Sequence, residues 1–211
     1  MKETKFYLVR HGQSLGNAKR IILGHTDWDL SDLGHIQAKM TAEALRDVKF
    51  DKIYSSDLKR AHNTALPFAE MRSLPIIDRV GLREIYTGDW EEKSVEDILL
   101  DSREMYEISW QKGFSSFTFP NGDGVMDASR RFYCEVLQIA NENEGKTVLL
   151  ASHAAVIRGF WCLISKLEAS VWAQTVPFPT NASYSTFTYC DGVFTPIEFS
   201  CDSHFQTQNF S

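Results

Sequence analysis

Phe6-Tyr7-Leu8-Val9-Arg10-His11-Gly12 is a short apolar run that stops on an arginine, a histidine and a glycine. Four apolar residues with aromatic and branched side chains read as a buried strand. A strand ending on Arg10-His11 carries a guanidinium and an imidazole to its carboxyl end. In open α/β sheets ligands bind along that edge. Gly12 then lets the chain turn and lets a ligand approach the backbone closely.

Working outward, a loop runs from Gln13 to Leu30, and a helix is expected after Ser31, a plausible cap. Leu33, Ile36, Met40, Ala44 and Val48 recur at spacings of three and four and predict its buried face. Ile53-Tyr54-Ser55 reads as a second strand. It leads into a helix bearing Leu58, Ala61, Ala65 and Phe68, which Pro67 should kink or shorten. Residues 76–90 read as a strand and turn. From Glu91 to Pro120 the chain is polar and aromatic without a clear period, with Trp110, Phe114, Phe117 and Phe119, which suits a helical cap over a site. A helix is expected from Asp123 or Gly124, with Val125, Phe132, Val136 and Ile139 on one side and Asp123 as its cap. Thr147 to Ala151 reads as a buried strand that ends at Ser152-His153, with a helix following to about Ser165. Two last strands, near 183–189 and 193–199, should pair through Asp191-Gly192, a hairpin signal. Strands alternating with helices imply a layered α/β domain.

The bulk numbers fit one core. The chain has 211 residues, 43% of them hydrophobic, and such a length buries roughly 70% of the unfolded surface. Net charge is −6 with no long basic stripe, which argues against a nucleic-acid partner. An anion site must therefore be built locally, against the overall field. No stretch approaches the about 20 apolar residues of a membrane span, and the apolar run near the amino terminus is too short for a secretory signal. Cys134, Cys162, Cys190 and Cys201 form no Cys-x-x-Cys pair. They read as free thiols of a cytoplasmic protein, with a Cys190–Cys201 bridge across the last hairpin given little weight.

Two strands end on histidine, at His11 and His153, and a third strand-to-helix junction carries Arg60 in Ser55-Ser56-Asp57-Leu58-Lys59-Arg60. If these strands are parallel neighbours, Arg10, His11, Arg60 and His153 converge on one crevice. Guanidinium forks match phosphate oxygens two at a time. Helix amino ends add N–H groups and partial positive charge. A neutral imidazole can also attack phosphorus as a nucleophile. The missing part is a proton donor for the leaving alcohol, and Glu84 in Leu82-Arg83-Glu84-Ile85, at the end of a predicted short strand, is the best candidate. Each residue also has an ordinary structural reading, as a hydrogen-bonded histidine or a solvated charge.

At this point the chain resembles the histidine phosphatase superfamily, the phosphoglycerate mutase-like family. Arg10-His11-Gly12-Gln13-Ser14-Leu15-Gly16-Asn17 is similar to the signature Arg-His-Gly-x-Thr/Ser-x-x-Asn. Similar blocks follow in order at Gly24 to Gly34, Ser55 to Ala61, Leu82 to Glu91 and Ala151 to Arg158. The resemblance implies a three-layer α/β/α sandwich with a mostly parallel central sheet. Residues 1–211 would form a single domain, with a small helical cap inserted at about 91–120. It implies that His11 becomes phosphorylated, that Arg10, Arg60 and His153 hold the phosphoryl oxygens, and that Glu84 serves as acid and then base. Asn17 would bind phosphate and brace the loop. Ser14, Gly24 and Ala154 complete the substrate-binding set. No metal or organic cofactor is implied. Two departures stand out: Ala154 replaces a usual glycine after the second histidine, and Glu92 replaces a common glycine after Trp90-Glu91.

The expected activity is hydrolysis of small phosphorylated metabolites. A phosphoglycerate mutase is the alternative, but the Arg-His-Tyr-Gly run and basic insertion that mutases carry are absent here, where Glu84 precedes Ile85-Tyr86-Thr87-Gly88. A catalytically dead phosphate-binding module is the third reading. The cap aromatics suggest a substrate whose alcohol part is partly apolar. Neither nucleic acid nor membrane is an expected partner, and the oligomeric state stays open, a homodimer among the options.

Overall fold

The computed structural model describes residues 2–107 and 114–205. Among these residues six strands form one sheet: β1 (Thr4–Arg10), β2 (Lys52–Ser55), β3 (Ile76–Asp78), β4 (Thr147–Ser152), β5 (Tyr184–Cys190) and β6 (Val193–Cys201). Their order is β3-β2-β4-β1-β5-β6. The first four are mutually parallel, and β5 runs antiparallel to both of its neighbours. Among the described residues seven helices accompany them: α1 (Leu15–Ala18), α2 (Asp32–Ala44), α3 (Lys59–Arg72), α4 (Val95–Glu107), α5 (Val125–Glu142), α6 (Ala154–Ile164) and α7 (Trp172–Thr175).

The apolar strand runs are buried on both faces, as parallel strands require. Phe6 and Leu8 of β1, with Val148 and Leu150 of β4, face a core shared with Phe132, Val136 and Ile139 of α5 and with Val156 and Phe160 of α6. The alternate residues Val9, Leu149 and Ala151 face Ala42, Ala65 and Phe68 of α2 and α3. Those two cores make the three layers.

The last hairpin turns on Asp191 (φ 51°) and Gly192 (φ 82°), both left-handed, the geometry that a two-residue turn with strand-compatible twist demands. Cys190 pairs with Val193 beside this turn, whereas Cys201 pairs with Tyr184 at the opposite end of the ladder. Cys134, Cys162 and Cys201 are free thiols.

Several expectations require correction. The buried face of α2 is Gly34, Ala38, Thr41 and Ala42, while Leu33 and Ile36 are exposed. Close approach decides this face. A Cβ at Gly34 would collide with the carbonyl oxygen of Gln13, and one at Gly12 would lie 2.5 Å from the carbonyl oxygen of Gly34. Only small residues let α2 sit against the loop that follows β1. Pro67 lies inside α3 without shortening it, the helix running on to Arg72. Asp123 does not cap α5. Gly124 occupies that position, and the Asp123 carboxylate accepts from the Tyr86 N–H at 3.1 Å. Glu84 lies beyond β3, on a loop after a single 3-10 turn (Val80–Leu82), rather than at a strand end.

Between β3 and α5 the described residues include α4 and a 3-10 turn at Phe114–Ser116. Trp110 lies outside the described residues. Glu92, shortly before α4, has φ 62°, a conformation in which glycine is at ease and a larger residue is strained. Among the described residues no helix is long and apolar enough to cross a membrane.

Candidate active site

Strand order makes the site. In the sheet β4 lies between β2 and β1, so the carboxyl ends of three parallel strands are adjacent. Arg10 is in register with Ser152. The next residues are therefore His11 and His153, whose ring centroids lie 5.2 Å apart. Ser56, just beyond β2, donates its N–H to Ala151 and brings its hydroxyl oxygen within 2.9 Å of His153 Nε2.

His11 is 5% exposed and His153 fully buried. The His11 Nδ1 is 2.7 Å from the Gly12 carbonyl oxygen. A carbonyl only accepts, so Nδ1 carries the proton and Nε2 keeps its lone pair. Burial lowers the pKa of His11 well below the ordinary histidine value, and the Arg60 and Arg10 cations lower it further. The pKa of His153 falls the same way, through burial first and then Arg60 and His11. Both imidazoles are therefore neutral at pH 7.

That neutrality carries a signed pH dependence. Below pH 6.5 the unfolded chain protonates both imidazoles while the folded chain does not, so stability rises with pH and is lost on acidification. The slope approaches about 1.4 kcal/mol per pH unit for each buried histidine, once pH is below its unfolded pKa and above its folded one. Denaturant unfolding in phosphate-free buffer between pH 7 and 5.5 is expected to show this loss, and His153→Gln to remove about half of it. A flat profile in the wild type would contradict the burial assignment.

Arg60 is 2% exposed and sits in the first turn of α3. Its guanidinium donates to the Thr26 carbonyl at 2.8 Å and the Gly24 carbonyl at 2.7 Å. Gly24 has φ +50°, and a Cβ there would run into Glu91 Oε1 and Thr87 Oγ1. The same Glu91 carboxylate accepts from the His25 N–H at 2.5 Å and the Thr26 hydroxyl at 2.8 Å, which fixes the loop on which Arg60 rests. Arg10 donates to the Pro179 carbonyl at 2.6 Å, and its Nε is buried with no hydrogen-bond partner. Burial lowers the pKa of both arginines to about 10 while the Glu84 carboxylate opposes the shift, so both stay cationic at neutral pH.

Glu84 reaches the first turn of α6. Its Oε1 accepts from the N–H groups of Ile85 (3.0 Å) and Val156 (3.1 Å), and its Oε2 accepts from Ala155 (3.0 Å). Helix amino ends carry such unpaired donors, and here a carboxyl takes them. Arg131 of α5 clamps the loop from behind. It donates to the carbonyls of Gly81 and Arg83, both at 3.0 Å, and of Glu84 at 2.9 Å. Arg83 is itself ion-paired to Asp57 at the start of α3.

Ser14 caps α1, accepting the Asn17 N–H at 3.0 Å, while Asn17 Oδ1 accepts the Ser14 N–H at 3.2 Å. That oxygen also accepts from Asn181 Nδ2 at 3.1 Å, and Asn181 donates as well to the His11 carbonyl. Asn17 thus braces the loop. Arg10, His11, Ser14, Asn17, Gly24, Arg60, Glu84 and Ala154 all line one cavity of about 450 Å³. His153 stands behind that lining, fully buried, with Nδ1 left without a hydrogen-bond partner.

The motif reading missed Asn181, Arg131 and the role of Ser56. Asn181 had an available signal: β5 runs antiparallel to β1, so the segment entering β5 must lie beside the end of β1. Arg131 had none, since one arginine on an amphipathic helix looks like a surface charge.

A parallel sheet whose strand ends gather two neutral imidazoles, two buried guanidiniums and a carboxyl is a phosphoryl-handling α/β enzyme by its construction. The model of the histidine phosphatase superfamily (branch 1) matches residues 6–202, and the chain belongs to that family. It is 29% identical over 195 residues to the adenosylcobalamin/alpha-ribazole phosphatase of Salmonella typhimurium, covering 90% of this chain and 93% of that one. It is 31% identical over 182 residues to phosphoserine phosphatase 1 of Hydrogenobacter thermophilus, covering 86% and 84%. A probable phosphoglycerate mutase of Yersinia pestis is 32% identical over 161 residues, covering 76% and 73%. Among solved structures, Bacillus stearothermophilus YhfR superposes with a TM-score of 0.89 at 27% identity, covering 95% of this chain and 98% of that one. A mycobacterial glucosyl-3-phosphoglycerate phosphatase complexed with VO3 gives 0.86 at 25%, covering 94% and 99%.

Proposed function

We propose that this enzyme hydrolyses phosphomonoesters of small metabolites through a phosphohistidine at His11. The observation that carries the reading is the His11 tautomer. With Nδ1–H held on the Gly12 carbonyl, a neutral ring beside two arginines presents an Nε2 lone pair to an anion. In the first step Nε2 forms a bond to phosphorus as the bond to the alcohol oxygen breaks. The arginines neutralise the charge on the phosphoryl oxygens, the role positioned cations play in phosphoryl transfer. Glu84 in its acid form gives the leaving oxygen its proton. Oε2 is the site for that proton, because Oε1 already accepts two N–H groups. In the second step a water attacks phosphorus and passes a proton to the Glu84 carboxylate. The N–P bond breaks, releasing inorganic phosphate and restoring neutral His11.

Hydrolysis, rather than return of the phosphoryl group to a sugar acid, is favoured by the cap. A mutase must grip a carboxylate as well as a phosphate. Arg103, the cation of α4, faces Glu107 at 3.7 Å and is absent from the cavity lining, where the exposed Arg20 is the described cation outside the phosphoryl-binding pair. The free thiols of Cys134, Cys162 and Cys201 fit a reducing, cytoplasmic setting.

Rapid quenching with a phosphomonoester, followed by peptide mass spectrometry, is expected to find acid-labile phosphate on His11 and free phosphate accumulating at steady state. Label on His11 with transfer to 2- or 3-phosphoglycerate as the main product would make it a mutase. Absence of label with every ester would make it a binding module.

A further inference from the structure

The cavity has two unlike halves. Its floor is the polar set described above. Its upper wall is apolar and is formed by Ile22, Val95, Tyr106, Phe114, Phe119 and Phe178. The charged residue of this upper part is Arg20, which is exposed. Among the described residues no carboxylate of the wall receives an ammonium group, so the ammonium of a zwitterionic alcohol would lose water there without a partner. A polyhydroxylated alcohol laid against these rings would leave unpaired the hydroxyl groups that Thr87 and Tyr106 do not reach, at a cost of about 1–3 kcal/mol per buried group. An apolar ring loses nothing.

The wall is braced rather than loose. Phe119 packs on the buried Trp90 with ring centroids 5.4 Å apart at 87°. Phe114 and Phe178 meet edge to face, 5.5 Å apart at 83°. In the notch between these two rings lies the guanidinium of Arg158, 4.5 Å from one centroid and 4.3 Å from the other. Arg158 is 2% exposed. It donates to the carbonyls of Val176 at 2.7 Å, Ala173 at 2.9 Å and Trp172 at 3.4 Å. One buried side chain of α6 therefore ties the α7 segment and both rings to the main body. A cation against two ring faces in a desolvated setting contributes attraction beyond packing.

We infer that the enzyme selects phosphomonoesters whose alcohol carries a bulky apolar or aromatic group, and that Arg158 is the positioning residue that holds the selecting wall. The inference rests on the phosphatase reading above. The alcohol lies against Phe114, Phe119 and Phe178 while its phosphoryl group faces His11.

The test uses three alkyl esters, all with poor leaving groups: 2-(1-naphthyl)ethyl phosphate, propyl phosphate and glycerol 3-phosphate. Wild-type kcat/KM is expected to favour the naphthylethyl ester over both others by about 30-fold or more, the amount that burial of a bicyclic ring supplies against a short chain. In Phe178→Ala and in Arg158→Lys the naphthylethyl-to-propyl ratio of kcat/KM is expected to fall about tenfold, through KM rather than kcat. Loss of fold or of general integrity would lower both esters alike and leave that ratio standing, which would overturn the role of Arg158. Wild-type discrimination within about twofold would overturn the substrate class. If His11 is labelled by all three esters at similar kcat/KM, the substrate class fails and the phosphatase reading stands. If none labels His11, the phosphatase reading itself fails.

Discussion

His11→Ala removes turnover, with phosphate release falling at least about 10⁴-fold, the scale of losing a covalent nucleophile. The substitution deletes the lone pair that meets phosphorus and leaves Arg10, Arg60 and Glu84 in place. The variant should remain folded, because the lost ring is neutral, and the His11 carbonyl, which accepts from Ala182 and Asn181, is unaffected by side-chain truncation. It should still bind inorganic phosphate through the two arginines. Steady-state phosphate release and the acid-labile label should vanish together. Release within tenfold of wild type would mean that water attacks the ester directly and that the histidine only fills space.

Glu84→Gln is expected to cost about 10²–10⁴-fold for alkyl esters, the usual range for a positioned general acid. The loss should shrink to well under tenfold in the first step for p-nitrophenyl phosphate, whose leaving group needs no proton. Pre-steady-state bursts separate that step from the water attack. Glutamine also turns an NH₂ group toward one of the α6 N–H donors, so a modest drop in thermal midpoint accompanies the change. Equal loss for good and poor leaving groups in the burst phase would assign Glu84 a purely structural duty at the helix start.

Much of this was readable in the residues. Strand β1 and its ending on Arg10-His11 are local facts of an apolar run. The same holds for β4 and His153, and for the Asp191-Gly192 turn. What could not be read lies where long-range packing overrides local pattern. The spacing of Leu33, Ile36 and Met40 marks an apolar face on α2, but close approach to the loop after β1 requires Gly34, and the face that it shares with Ala38, Thr41 and Ala42 is the buried one. Glu84 was found by its neighbours in sequence, yet its support comes from Arg131, some fifty residues on, through main-chain carbonyls that leave no trace in side-chain pattern. Arg158 stood inside a recognised block, and only the meeting of Phe114 with Phe178 gives it a purpose.

The placement of β1 has a consequence for how the protein is made. The strand that ends on Arg10 is made well before its two neighbours, β4 and β5, which begin at Thr147 and Tyr184. Until those stretches emerge, an apolar ribbon has both of its edges unpaired, the kind of surface that invites association between chains. Pairing across such sequence distances is intrinsically slow. Full pairing of β1 therefore waits for both distant stretches, and a truncated product ending before Tyr184 would leave that strand open along one side.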